Sequence, residues 1–141
     1  MTMVSRFSFK TLLAIFAIGL ISACAREQPV LNINNAQFPT EVAQKLSLNE
    51  IAAAISLAGK GRQDEWIIRR DSDNTMVGEL FVRQHYAKVL IPFTKQSFSI
   101  NYADSKILRY DGTKIHRNYN KWVGLLRDDI VKAVSKAAAA K

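Results

Sequence analysis

Two histidines, one cysteine and a few adjacent carboxylates are the side chains of this sequence best suited to holding a metal or moving a proton. His85 and His116 each lack a partner at the i+2 to i+4 spacing of metal ligands, and Cys24 is the only thiol. The spacing therefore predicts no metal site, and a lone cysteine closes no disulfide within the chain. The stretch "DSDNTMVGELFV", starting at Asp71, begins like a calcium loop. Its sixth residue is Met76 where that loop needs glycine, and its twelfth is Val82 where it needs glutamate. Asp71 and Asp73 read better as a polar hairpin turn. The pairs Asp64–Glu65 and Asp128–Asp129 are neighbours along the chain, whereas a glycosidase needs two carboxyls facing each other across a cleft. Neither a Gly-x-Ser-x-Gly elbow nor a local Ser-Lys signature is present, and Ser97, Ser99 and Ser105 fall in strand and turn contexts. The expectation is a non-enzyme without metal or cofactor.

Two groups of residues are better suited to binding. "HRNYNKW", His116 to Trp122, mixes amides with aromatic rings, and Asn118, Tyr119, Asn120 and Trp122 are the residues that could contact a glycan by stacking and hydrogen bonding. Tyr119 and Trp122 also fall on the apolar stripe of a helix, where they would be core. The second group comes from strands that are apolar on both sides. Met76, Leu80 and Val82 alternate with Val77 and Phe81, and Val89, Ile91 and Phe93 alternate with Leu90. An antiparallel sheet covered on one side normally turns polar residues to the other. Val77, Phe81 and Leu90 are therefore the candidate partner surface, for another envelope protein or a second copy of the chain.

The elements that position these residues are well marked. Ser47-Leu48-Asn49-Glu50 is a capping box, and Leu48, Ile51, Ala52, Ile55 and Ala58 follow at helical spacing until Gly59 and Gly61, which suit a left-handed helix end. Trp66–Arg70, Thr75–Arg83, Tyr86–Phe93 and Phe98–Tyr102 read as strands joined by short polar turns, a pattern that favours antiparallel neighbours. Tyr119, Trp122, Val123, Leu126, Ile130 and Val134 recur at helical spacing, and "SKAAAAK" continues the helix with nothing evident to bury. The fold class this predicts is α+β: a two-layer sandwich in the order α-β-β-β-β-α, with a four-stranded antiparallel sheet and both helices on one face.

The beginning of the chain belongs to a different layer of information. Arg6 and Lys10 precede an uncharged run from Thr11 to Ala23, too short to cross hydrocarbon that needs ~20 apolar residues. These are the proportions of a signal peptide. Ile21-Ser22-Ala23-Cys24 resembles the bacterial lipobox. That resemblance implies cleavage by signal peptidase II between Ala23 and Cys24, a diacylglycerol on the Cys24 sulfur and an N-acyl chain on its amine. It predicts residues 1–23 as a cleaved signal, 24–46 as a lipid-anchored tether interrupted by Pro29 and Pro39, 47–134 as one globular domain and 135–141 as a frayed tail. Val30 to Ile33 could add a short edge strand. Ala25 at the second position, where an aspartate would retain the protein in the inner membrane, implies the inner leaflet of the outer membrane, facing the periplasm.

The formal net charge is +8. In an exported protein this basic balance points away from nucleic acid, and toward anionic headgroups or peptidoglycan carboxylates. Stretches such as "FSINYADS" and "YDGTKIHRNYNKWV" make the mature chain similar to small uncharacterised lipoproteins of Gram-negative bacteria, a resemblance that implies no catalytic residue.

Overall fold

The computed structural model describes residues 26–141; the signal, its cleavage position and Cys24 lie outside the described residues. The α+β class is observed, around a five-stranded antiparallel sheet instead of four strands. In chain order the elements are β1 (Glu27–Pro29), β2 (Ile33–Gln37), α1 (Thr40–Lys45), α2 (Leu48–Ala58), β3 (Trp66–Ser72), β4 (Thr75–Val82), β5 (His85–Pro92), β6 (Ser97–Lys106), β7 (Lys114–His116) and α3 (Arg117–Ala139). The large sheet runs β2-β6-β5-β4-β3, and β1 pairs with β7 as a separate two-stranded ribbon.

The expected tether is part of the fold. β2 adds an edge strand to β6, with Ile33 opposite Ile100 and Ala36 opposite Phe98. Phe38 stacks on Phe98 with ring centroids 5.1 Å apart, and Phe38, Val42 and Leu46 are buried. Side chains distant in sequence hold the segment in place. Asn120 accepts from the Leu31 N–H at 2.9 Å and donates to the Pro29 carbonyl at 2.8 Å, while Asn32 accepts from the Tyr102 N–H at 2.8 Å.

The predicted capping box of α2 is present. Ser47 Oγ accepts from the Glu50 N–H at 3.2 Å, and the Glu50 carboxylate accepts from the Ser47 N–H at 2.8 Å. The Lys141 ammonium from the end of α3 also reaches Glu50. That ammonium first, and then the Ser47 N–H, hold the Glu50 carboxyl down at about 2, against an ordinary 4.5. The folded carboxyl binds its proton less tightly than the unfolded one. Its contribution is therefore present above pH 4.5 and lost as pH falls toward 2. Glu50→Gln is expected to flatten that part of the acid limb, read as the urea midpoint against pH.

Gly59 ends α2 in right-handed conformation, φ −78°, not the left-handed one expected; only Gly61 has φ +89°. Gly59 is required by proximity: a Cβ there would lie 2.5 Å from the Trp66 carbonyl oxygen. α3 buries every residue of its expected stripe. Its tail is helical through Ala139, with Ala138 fully buried. Together these helices cover one face of the sheet, burying Ile68, Met76, Leu80, Val89, Ile91, Phe98 and Ile100 beneath them.

Candidate functional site

The alternation along β3, β4 and β5 sends Trp66, Ile68, Met76, Leu80, Ala87, Val89 and Ile91 into the core. Strand periodicity turns Ile67, Val77, Phe81, Tyr86 and Leu90 to the opposite face. Ile67 is 53% exposed, Phe81 61% and Leu90 37%, while Val77 and Tyr86 are partly shielded by their neighbours. Cross-strand pairing places Phe81 beside Tyr86, with centroids 5.0 Å apart, and Val77 beside Leu90.

Polar groups divide this apolar surface. Glu79 receives an Arg69 guanidinium at 2.5 Å and the Tyr86 hydroxyl at 2.8 Å. The Lys106 ammonium stands 5.7 Å from the Tyr86 ring centroid, within cation–π reach. Burial first, then the bond to Glu79, raise the Tyr86 phenol to about 12. It is a neutral donor at physiological pH, suited to orienting a contact and not to nucleophilic attack. Lys88 and Asp104 stand opposite each other on the next pair of strands. The face thus combines exposed rings and aliphatic groups, the kinds of side chain enriched at interface cores, with charged partners of the kind found on interface rims.

The remaining sequence candidates fall elsewhere. Tyr119 has no accessible surface, so it cannot stack on a sugar ring in this structure; its ring packs edge-on against Tyr102. The two hydrogen bonds of Asn120 fasten residues 29–31, and Trp122 is 9% exposed, its ring near His85. Asn118 is exposed, with its N–H donating to His116 Nδ1 at the start of α3. The four residues share a helix but do not form one platform. His85 Nδ1 lies 3.2 Å from the Val82 carbonyl, a local turn bond that makes this nitrogen the donor.

Among the described residues no group of three or more histidine, cysteine or acidic side chains is gathered as metal ligands. In the β3–β4 turn, Arg70 bonds to the carbonyls of Ser72 and Asp73, so a guanidinium braces the polar hairpin turn. Asp129 forms a two-point ion pair with Arg62, and Glu65 accepts from the Gly61 N–H. Asp64 and Asp129, one from each pair, line a common concavity, in which Arg62 occupies the Asp129 carboxylate. No charged residue is buried among the described residues.

No protein-family model, curated protein or solved structure matches this chain. The functional reading therefore comes from the site itself.

Two concavities were not legible in the sequence. One, of about 890 Å³, runs between α2 and α3 over Ala53, Ala54, Leu57 and Ala137, with Lys132 and Lys136 on its rim. Another, of about 520 Å³, lies where Phe81 and His85 approach Trp122, Lys121 and Asn118. Alanines at helical spacing were the only signal for the first. The second depends on bringing the β4–β5 turn beside α3, which no local pattern reveals.

Proposed function

We propose that this chain is the domain of an exported, lipid-anchored envelope protein that acts without catalysis, as an adaptor or accessory subunit offering its open sheet face to a protein partner. Its place would be the inner leaflet of the outer membrane, facing the periplasm, with acyl chains on Cys24 holding it there. The observation that carries the adaptor role is the exposure of Phe81, Ile67 and Leu90, with Tyr86 beside Phe81 and Val77 beside Leu90, on a face that the helices leave open. Anchoring would raise the local concentration of such a surface near membrane partners without adding any contact.

The glycan reading has less support, because Tyr119 is enclosed and Asn120 is engaged in holding the N-terminal segment. The open face favours a protein partner over peptidoglycan. A second copy of the chain would use the same face.

Phe81→Glu tests the assignment. Phe81 is already 61% exposed, so the variant is expected to unfold within about 0.5 kcal/mol of the parent. Placing a carboxylate at the centre of a desolvated contact is expected to weaken complex formation by at least 2 kcal/mol, roughly 30-fold. The measurement is the yield of protein co-purifying from gently solubilised envelopes with parent, Phe81→Glu and Cys24→Ser forms. A stoichiometric companion lost in Phe81→Glu supports the adaptor; one retained equally by the parent and Phe81→Glu removes this face from the function.

A further inference from the structure

Only Ala25 and Arg26 stand between Cys24 and the first residue of β1 in the sequence. Three extended Cα–Cα steps span at most ~11 Å, so Cys24 lies within that distance of Glu27 in any conformation. The polar layer of one bilayer leaflet is ~5–8 Å deep. A domain that begins so soon after a lipid cannot swing freely above the membrane. One end of it must lie at the headgroups, and the first strand determines which.

We propose that the end formed by β1, β7, the segment between β6 and β7 and the start of α3 is a docking surface for anionic phospholipid, with Ile107 entering the boundary between headgroups and acyl chains. This inference rests on the lipid-anchor reading of Cys24 and adds an orientation and a lipid class to it. The connectivity draws the participants together. The Arg26 carbonyl accepts from the Arg117 N–H at 2.8 Å, the His116 N–H donates to the Leu108 carbonyl at 2.8 Å, and Arg109 reaches the Glu27 carboxylate at 2.8 Å. The start of the described chain and the residue following Ile107 are thus both attached to the β7–α3 junction.

The chemistry of this end matches a charged interface. Arg26, Lys114 and Arg117 belong to it outside the Arg109–Glu27 ion pair, against Asp111. Asp111 is turned toward the N–H groups of Thr113 and Lys114, and Glu27 is occupied by Arg109. Basic residues next to an anionic leaflet are each worth about five-fold in binding. Between the cations stands Ile107, 63% exposed, while its neighbour Leu108 is buried. Ile107 has φ +58°, a left-handed conformation that is a genuine outlier for a β-branched residue and costs about as much as the insertion of one small apolar side chain returns. Tyr110, 39% exposed and tilted against Tyr102 with ring centroids 4.0 Å apart, is a residue type enriched at membrane interfaces.

The test uses the mature, acylated protein on vesicles of zwitterionic lipid with and without phosphatidylglycerol. With Cys24 occupied by lipid, Ile107→Cys carries an environment-sensitive fluorophore, and Lys132→Cys, ~22 Å further along α3, is the control. Mass spectrometry of Cys24 and vesicle flotation are read on the same samples. The expected result is flotation, with a blue shift and loss of iodide quenching at position 107 only, stronger on anionic vesicles and reduced about 25-fold in lipid preference by Arg26→Gln with Arg117→Gln. Ile107→Gly is expected to raise the urea midpoint of the protein in detergent while weakening the anionic-lipid preference, a pairing that a merely structural role would not produce. Flotation of acylated protein with positions 107 and 132 equally quenched overturns the docking surface and leaves the anchor standing. Unmodified Cys24 without flotation overturns the anchor reading and the orientation with it. Protection at 107 that appears only when sacculi or a protein extract is added overturns lipid in favour of that partner.

Discussion

Phe38→Ala is expected to lower the unfolding free energy by about 3–5 kcal/mol, moving the urea midpoint by roughly 2 M. A free tether between lipid and domain would tolerate this change. Phe38 is instead 6% exposed and stacked on Phe98, itself 1% exposed on the sheet's covered face. Its N–H is bonded to the Gln96 carbonyl at 2.8 Å, so truncation leaves the backbone fixed while opening a cavity beside Phe98. A loss of this size is a large fraction of the ~5–15 kcal/mol that holds a typical domain together. Leu57→Ala is the matched control. Leu57 is 60% exposed on α2, and its truncation is expected to cost under about 0.5 kcal/mol. Equal midpoints for parent and Phe38→Ala would mean that residues 26–46 do not contribute to the cooperative unit.

Tyr119→Phe is expected to move stability in the other direction, by about 1–3 kcal/mol. The Tyr119 hydroxyl is buried and has no hydrogen-bond partner among the described residues, and its ring is wholly enclosed. Removing the oxygen preserves the packing and removes a desolvated polar group. The same burial raises the Tyr119 phenol well above its usual value of 10, with smaller contributions from Tyr102 and Tyr110. Since the folded state holds this proton more tightly than the unfolded chain, stability is intact below pH 10. Above it, stability falls by up to about 1.4 kcal/mol per pH unit from this group. Tyr119→Phe is expected to lose that share of the alkaline slope; Tyr86 and Tyr102, also raised, would retain theirs. Guanidinium midpoints between pH 8 and 11 measure both effects. A less stable Tyr119→Phe with an unchanged slope would show that the hydroxyl has a partner and that the burial argument is wrong.

Much of the candidate site was visible in the pattern of residues. The double-sided apolar character of the segments containing Phe81 and Leu90 follows from a two-residue period, and period alone assigns opposite faces. Ile67 carries the same signal between Trp66 and Ile68, and only its companions on β4 show that it joins the surface. The β2 strand was harder to read. "INNAQ" has little intrinsic preference for a sheet and contains Asn35 at φ +53°. It becomes a strand because β6 presents an unpaired edge and Asn32 bonds to Tyr102 across the fold. The helical tail was misjudged for a related reason. Its alanines have no hydrophobic pattern strong enough to show a partner, yet Ala138 is fully buried.

By itself, the sequence determined what local chemistry can determine: the α2 capping box, the apolar stripe of α3, and the strand alternation that leaves Phe81 on an uncovered face. Those features depend on neighbours within a turn or a few residues, so their physics is complete in the linear chain. The tertiary structure alone decided that residues 26–46 belong to the domain, that Gly59 is needed for its closeness to Trp66, and that Tyr119 is sealed away from any ligand. It also decided that Ile107 is exposed near the β7–α3 junction to which Arg26 is bonded. Each of these depends on atoms separated by many residues meeting at hydrogen-bond or van der Waals distance, and composition and periodicity carry no record of such meetings.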